Sequence, residues 1–226
     1  MITVPRRVTG AGNRTRLTAF SDHPVFGRRH NRIPGCAVCL FGPAMSDSAR
    51  DDQQLWQQTV EGLRAELAGI SPAERSWITS RLGEVACLQE RLHLLFLGAD
   101  GENLCRSCRG QCCERGRNHL TLVNLLGYLV AEREPPAPDF TLTCPFLGPR
   151  GCRIDVGRRP FNCVTFVCDP IEQSLDAAGN ENFYALEKEL RLGYETFEKR
   201  FAGAGLRGLL IRAERLGGAQ LLGPLP

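Results

Sequence analysis

Eight of the chain's 11 cysteines fall between positions 105 and 168. Cys105, Cys108, Cys112 and Cys113 form C-x-x-C-x-x-x-C-C. After thirty residues come Cys144, Cys152, Cys163 and Cys168, separated by 7, 10 and 4 residues. A single C-x-x-C arises often by chance, whereas eight clustered thiols do not. Thiolate is the ligand of Zn²⁺, of iron–sulfur clusters and of other soft-metal sites, and tight turns bring i and i+3 sulfurs to one ion. Gly110, Gly116, Gly148, Gly151, Gly157, Pro145, Pro149 and Pro160 supply the turn chemistry around them. The adjacent pair Cys112-Cys113 points its side chains apart, so two centres or one multinuclear cluster suit it better than one tetrahedral ion. A second C-x-x-C, as a zinc ribbon requires, is missing from the later gaps, and the ferredoxin run is approached without being matched. His119, six residues beyond Cys113, has the chemistry of a ligand but reads as a surface histidine.

Nine arginines lie between Cys105 and Cys168 against five acids, a local surplus of +4. Arg106, Arg109, Arg115, Arg117, Arg153, Arg158 and Arg159 all stand within a few residues of a sulfur. Such charge is expected to lower thiol pKa values and to offset an anionic metal–thiolate centre. Outside the run Leu120–Val130, which reads as a helix, this middle segment has too few regular apolar positions for a core of its own. A bound structural zinc, worth on the order of 10 kcal/mol, supplies stabilisation of the size required.

Amphipathic helices must carry this segment. In the stretch from Ser46, Leu55, Trp56, Val60, Leu63, Leu67 and Ile70 recur at three- to five-residue spacing, the stripe of one helix. Asp47, Asp51 and Asp52 near its start suit the helix dipole. Ser71-Pro72-Ala73-Glu74 reads as a capping box opening a second helix, with Trp77, Ile78, Leu82, Val85, Leu88, Leu92, Leu95 and Phe96 on its apolar face. So short a turn predicts that the two pack as an antiparallel hairpin. Cys87 falls among these apolar positions and reads as a small buried hydrophobe, and His93 as a surface or core-edge residue. Glu181–Phe201 predicts a third helix through Phe183, Leu186, Leu190, Tyr194, Phe197 and Phe201, and Leu206–Leu216 a short fourth. The expected fold is therefore mainly α, with a helical hairpin before an irregular, metal-stabilised cysteine-rich segment and helices after it. Residues 45–216 form one helical domain in this reading, and residues 217–226 a loose tail.

The first 44 residues differ in kind. They hold seven arginines and one acid, a net +6, so the chain's overall +3 leaves −3 on the 182 residues that follow. With scattered Gly and Pro and no sustained period, residues 1–44 read as a disordered or non-native extension, Met45 being the expected true start. Their C-x-x-C, Cys36 and Cys39, has no second pair nearby and is left out of the site. No apolar stretch reaches the roughly 18 residues of a membrane span. No secretory h-region is visible either, so a cytoplasmic protein is expected, with thiols kept reduced or metal-bound. The acidic balance of the globular part argues against a nucleic-acid partner; a protein partner stays open.

The order C-x-x-C-x-x-x-C-C, then C-P-F-L, G-C-R-I and R-P-x-x-C-x-x-F-x-C, resembles the zinc- or iron-chelating cysteine-cluster family, the YkgJ-like proteins of bacteria. The resemblance covers Cys105 to Cys168, about a quarter of the chain. It implies that Cys105, Cys108, Cys112, Cys113, Cys144, Cys152, Cys163 and Cys168 are metal ligands, for zinc or for iron, a 4Fe-4S cluster included. Arg159-Pro160 and Phe166 match its framework positions, while Asp155 and Val164 stand where Tyr and Arg are usual. A related cluster in flagellin lysine N-methylases implies a second reading, an iron–sulfur enzyme of protein-modification chemistry. A zinc-stabilised nucleic-acid-binding module is the third.

Overall fold

The computed structural model describes residues 46–225 except Arg109; the expected extension 1–44, Cys36, Cys39 and the Met45 start lie outside the described residues. The fold is mainly α, with a two-stranded hairpin as the one sheet among the described residues.

Helix α1 spans Asp47–Gly69, where the Ser46 side chain caps it by accepting from the Ala49 N–H at 3.2 Å. Its stripe buries Trp56, Val60, Leu63 and Leu67. Helix α2, Pro72–Gly98, starts as its sequence predicts: Pro72 takes the first turn and the Ser71 hydroxyl accepts from the Glu74 N–H at 3.1 Å. The capping box is only half formed, because the Glu74 carboxylate turns outward to the Arg200 guanidinium at 2.6 Å.

The expected close hairpin of α1 and α2 gives way to longer-range partners. Helix α2 makes its most extensive backbone contact with α7, Ala177–Glu198, and α1 makes its own with α8, Leu209–Leu216. The reason lies in the aromatic stripe of α7. Trp77 meets Phe197 and Phe201 edge-on at 5.2 and 6.0 Å, and Phe183, Leu186, Leu190 and Tyr194 are all buried. Each such side chain contributes about 1.5–3 kcal/mol of burial.

The run Leu120–Val130 becomes α4, Leu122–Leu129, a helix buried on nearly every side and therefore the centre of the core. Between α2 and α4 lies the 3₁₀ turn Val156–Arg158. Arg158 donates to the Gly127 carbonyl at 2.7 Å, and its guanidinium stacks on Tyr128 at 5.0 Å. The C-terminal residues are not a loose tail. The Leu221 and Leu222 N–H groups donate to the Glu66 carboxylate at 3.0 and 2.6 Å, and Leu221 is buried against Gly203. Cys87 departs from expectation too: it sits on the exposed side of α2.

Candidate metal centre

Short elements carry the cysteines. Helix α3, Gly101–Ser107, holds Cys105, and Cys108 follows at its C-terminus, where the Cys108 N–H reaches the Leu104 carbonyl at 3.2 Å. Gly110, at φ +67°, then turns the chain back: its N–H meets the Cys105 carbonyl at 3.0 Å and its carbonyl takes the Cys113 N–H at 2.8 Å. Only glycine adopts that left-handed conformation without a Cβ penalty. Cys113 opens the 3₁₀ segment Cys113–Asn118. Helix α6, Asp169–Ser174, packs on α3 and starts directly after Cys168.

Cys144 and Cys152 flank the hairpin of β1, Leu147–Gly148, and β2, Gly151–Cys152. Leu147 pairs with Cys152 across it while donating its N–H to the Cys144 carbonyl at 3.1 Å. Cys163 rides on α5, Phe161–Thr165.

The segment leading into α5 is held by a buried polar network that sequence reasoning missed. Gln89 on α2 and Asn124 on α4 both donate to the Arg159 carbonyl, at 2.5 and 3.0 Å, and both donate to the Tyr194 hydroxyl oxygen, at 3.2 and 2.9 Å. Asn124 Oδ1 also accepts from the Thr121 N–H at 2.8 Å. Burial raises the Tyr194 pKa, and the donors around its oxygen only partly oppose that. Gln89 Oε1 is left without a partner. A polar residue at core spacing, Gln89 between Val85 and Leu92, is the available signal; Tyr194 reads only as part of an apolar stripe, and Asn124 lies within an apolar run.

None of the eight clustered cysteines is buried: Cys108, Cys113, Cys152 and Cys163 are exposed, the others half-buried, and none forms a disulfide. Unmodified cysteine is ordinarily among the most buried residue types, so packing does not account for them. Their charges act on one another in two groups. Burial pushes the Cys105 thiol up to about 11, and the charges of Cys112, Cys108 and Cys168 add to it. The Cys163 thiol is also raised, first by the protein crowded around it and then by Cys152, Cys144 and Cys113. Residue area leaves Cys163 accessible although its sulfur is densely surrounded, which describes a side chain in a recess. Burial likewise raises Cys144, with Cys152 contributing. Cys113 stands between the groups: burial and its neighbour Cys112 push it up to about 12, with smaller effects from Cys105 and Cys152.

At Cys163 and Cys144 the arginines do not bring the net lowering expected, and several of them are occupied elsewhere. Arg117 pairs with Asp52 and donates to the Phe140 carbonyl, Arg153 holds the Pro145 carbonyl at 2.5 Å, and Arg158 pairs with Asp155 at 3.1 Å. Arg159 and Arg153 pull Cys163 and Cys144 down, but burial outweighs them. Clustered thiols whose anionic forms would repel one another are a donor set that a soft divalent cation satisfies. The residues fit a metal in chemistry and accessibility. Among the described residues, however, no three His, Cys, Asp or Glu side chains already converge as a finished cage.

His119 is half-buried rather than a free surface histidine, and burial lowers its pKa. Its Nδ1 lies 3.3 Å from Cys163 Sγ. No family model, curated protein or solved structure matches the chain.

Proposed function

We propose that this chain is a metal-binding protein that holds zinc or iron through the thiolates of Cys105, Cys108, Cys112, Cys113, Cys144, Cys152, Cys163 and Cys168. The observation that carries this reading is that none of the eight cysteines is buried or paired, and that they gather in two groups on short elements that the rest of the fold holds in place. The motif spacing that resembles the cysteine-cluster family supports the same set. Bound metal would neutralise the thiolates and cross-link α3, α5, α6 and the hairpin, which have little core of their own. An iron–sulfur form would add electron transfer; a zinc form would be structural or metal-handling.

Among the described residues no helix is long and apolar enough to cross a membrane. Thiols that remain unpaired fit a reducing compartment, and the cytoplasm is the proposed location. Nothing in the geometry favours the methylase-like or nucleic-acid readings over metal binding.

The test is anaerobic purification followed by metal analysis and a visible spectrum. Zinc near ~2 per chain without colour supports the zinc form, since Zn²⁺ is d¹⁰. Iron and sulfide with broad absorbance near ~400 nm support the cluster. Protein without either metal, whose cysteines alkylate freely and which binds neither on reconstitution, overturns the proposal.

A further inference from the structure

We infer that His119 is a metal ligand, and that Cys144, Cys152, Cys163 and His119 form a Cys3His centre distinct from the one built on Cys105, Cys108, Cys112 and Cys168. The inference rests on the metal-binding reading above and revises its donor set: His119 is added, and Cys113, which lies between the two groups, is left outside both four-donor sets.

Two donors of a tetrahedral zinc, one nitrogen at ~2.0–2.1 Å and one sulfur at ~2.3 Å, stand about 3.5 Å apart. The 3.3 Å between His119 Nδ1 and Cys163 Sγ is close to that separation. Cys144 joins the pair through Gly116. A Cβ at that buried glycine would lie 2.8 Å from Cys144 Sγ and 3.9 Å from His119 Nδ1, so sulfur and imidazole both border the space that the missing side chain leaves. The β1–β2 hairpin brings in Cys152, whose strand partner Leu147 bonds the Cys144 carbonyl.

The His119 backbone is fixed on both sides. Its N–H donates to the Gly116 carbonyl at 3.2 Å, and the next carbonyl, Leu120, accepts from Leu209 at the start of α8 at 2.7 Å. Gly208 lets α8 come so near: a Cβ there would stand 2.5 Å from the Asn118 carbonyl oxygen. A half-buried ring on a backbone held this way has less freedom to lose on binding than one on a mobile loop.

Charge supports the same donor set. Four thiolates on Zn²⁺ leave −2, whereas three thiolates and one neutral imidazole leave −1. The guanidiniums nearest these sulfurs are already engaged, Arg153 on the Pro145 carbonyl and Arg159 on the Ile154 carbonyl at 3.4 Å. The smaller negative charge needs less compensation than these arginines could give four thiolates. Among the described residues no three donors already converge, so the ion itself would have to draw Cys144 and Cys152 to the His119–Cys163 pair.

The test uses the full chain stripped of metal and reloaded with ¹¹³Cd²⁺, read by proton–cadmium correlation. The expected result is one cadmium signal coupled to the ring protons of His119 as well as to cysteine β-protons, and a second coupled to cysteines alone. His119→Gln should remove the ring correlation and weaken one cadmium site at least tenfold. Cys113→Ser should keep the ring correlation. Bound cadmium coupled only to cysteines in the unaltered chain overturns the inference and leaves the thiolate reading standing; this arm needs no variant to fold. Loss of the ring correlation in a folded Cys113→Ser protein overturns the three-cysteine set. Failure of the chain to bind cadmium at all overturns both readings together.

Discussion

Replacing Asn124 by alanine tests whether the buried polar network, rather than the apolar core alone, holds the segment that leads to Cys163. Asn124 is 2% exposed and its side chain makes four hydrogen bonds, accepting from the Thr121 N–H and hydroxyl and donating to the Arg159 carbonyl and the Tyr194 hydroxyl oxygen. Two of these partners keep a second donor in Gln89 Nε2, so losing Asn124 costs them about 1 kcal/mol each. The Thr121 N–H has no such substitute, and an orphaned buried donor costs about 1–3 kcal/mol. The expected loss is about 3 kcal/mol, roughly a hundredfold in the folding equilibrium. Urea unfolding of chelator-treated protein, followed by far-ultraviolet circular dichroism, reads it as a lower midpoint at unchanged slope. Tyr194→Phe should cost less, about 1 kcal/mol, because both amide donors retain the Arg159 carbonyl. Since the two substitutions share one bond, the double variant should lose less than the sum of the single losses. A loss below about 1 kcal/mol for Asn124→Ala, or strict additivity in the pair, refutes the network as the element that positions Arg159 and Pro160.

Zinc binding at neutral pH should release close to one proton per ligating cysteine, because Cys105 and Cys113, at about 11 and about 12, are protonated in the metal-free chain. Affinity therefore rises with pH, which calorimetry in buffers of different ionisation enthalpy measures; a proton count near zero contradicts thiolate ligation. The sign reverses for the metal-free fold. These thiols keep their protons in the folded state when the unfolded chain, near 9.0, has begun to lose them, so stability should fall as pH rises through that value. Denaturant midpoints across the alkaline range check this. Glu66→Ala should cost about 1–2 kcal/mol by freeing the Leu221 and Leu222 N–H groups, and should make the C-terminal residues the first site of limited proteolysis. Cys87→Ser should change stability by no more than about 0.5 kcal/mol and leave bound metal unchanged, as its exposed position on α2 requires.

Much of the architecture was legible because helix formation is local. The Ser46 and Ser71 caps, the stripes of α1, α2 and α7 and the buried run of α4 all follow from residue type and spacing over one or two turns. The partners of those stripes were not legible. Chain proximity favoured α1 against α2, whereas apolar and aromatic area favoured α7, and burial scales with area rather than with closeness along the chain. The docked C-terminus was hidden for a related reason: its anchor, Glu66, lies far away on α1 and carries no local signal.

By itself the sequence determined which residues are candidate ligands, because thiol chemistry and C-x-x-C spacing are properties of the chain. Tertiary structure decided how they group, since Cys105 comes within electrostatic reach of Cys168, and Cys163 of Cys144, only when α3 packs on α6 and the hairpin folds back. It also decided the standing of two residues whose type alone is ambiguous. Cys87 moved from the core to the surface because it lies on the side of α2 away from Val85 and Gln89, and His119 moved from the surface to the Cys163 sulfur, where α8 and two glycines leave room for it. Contacts between residues tens of positions apart depend on how whole elements pack, and no spacing rule within a single segment encodes that.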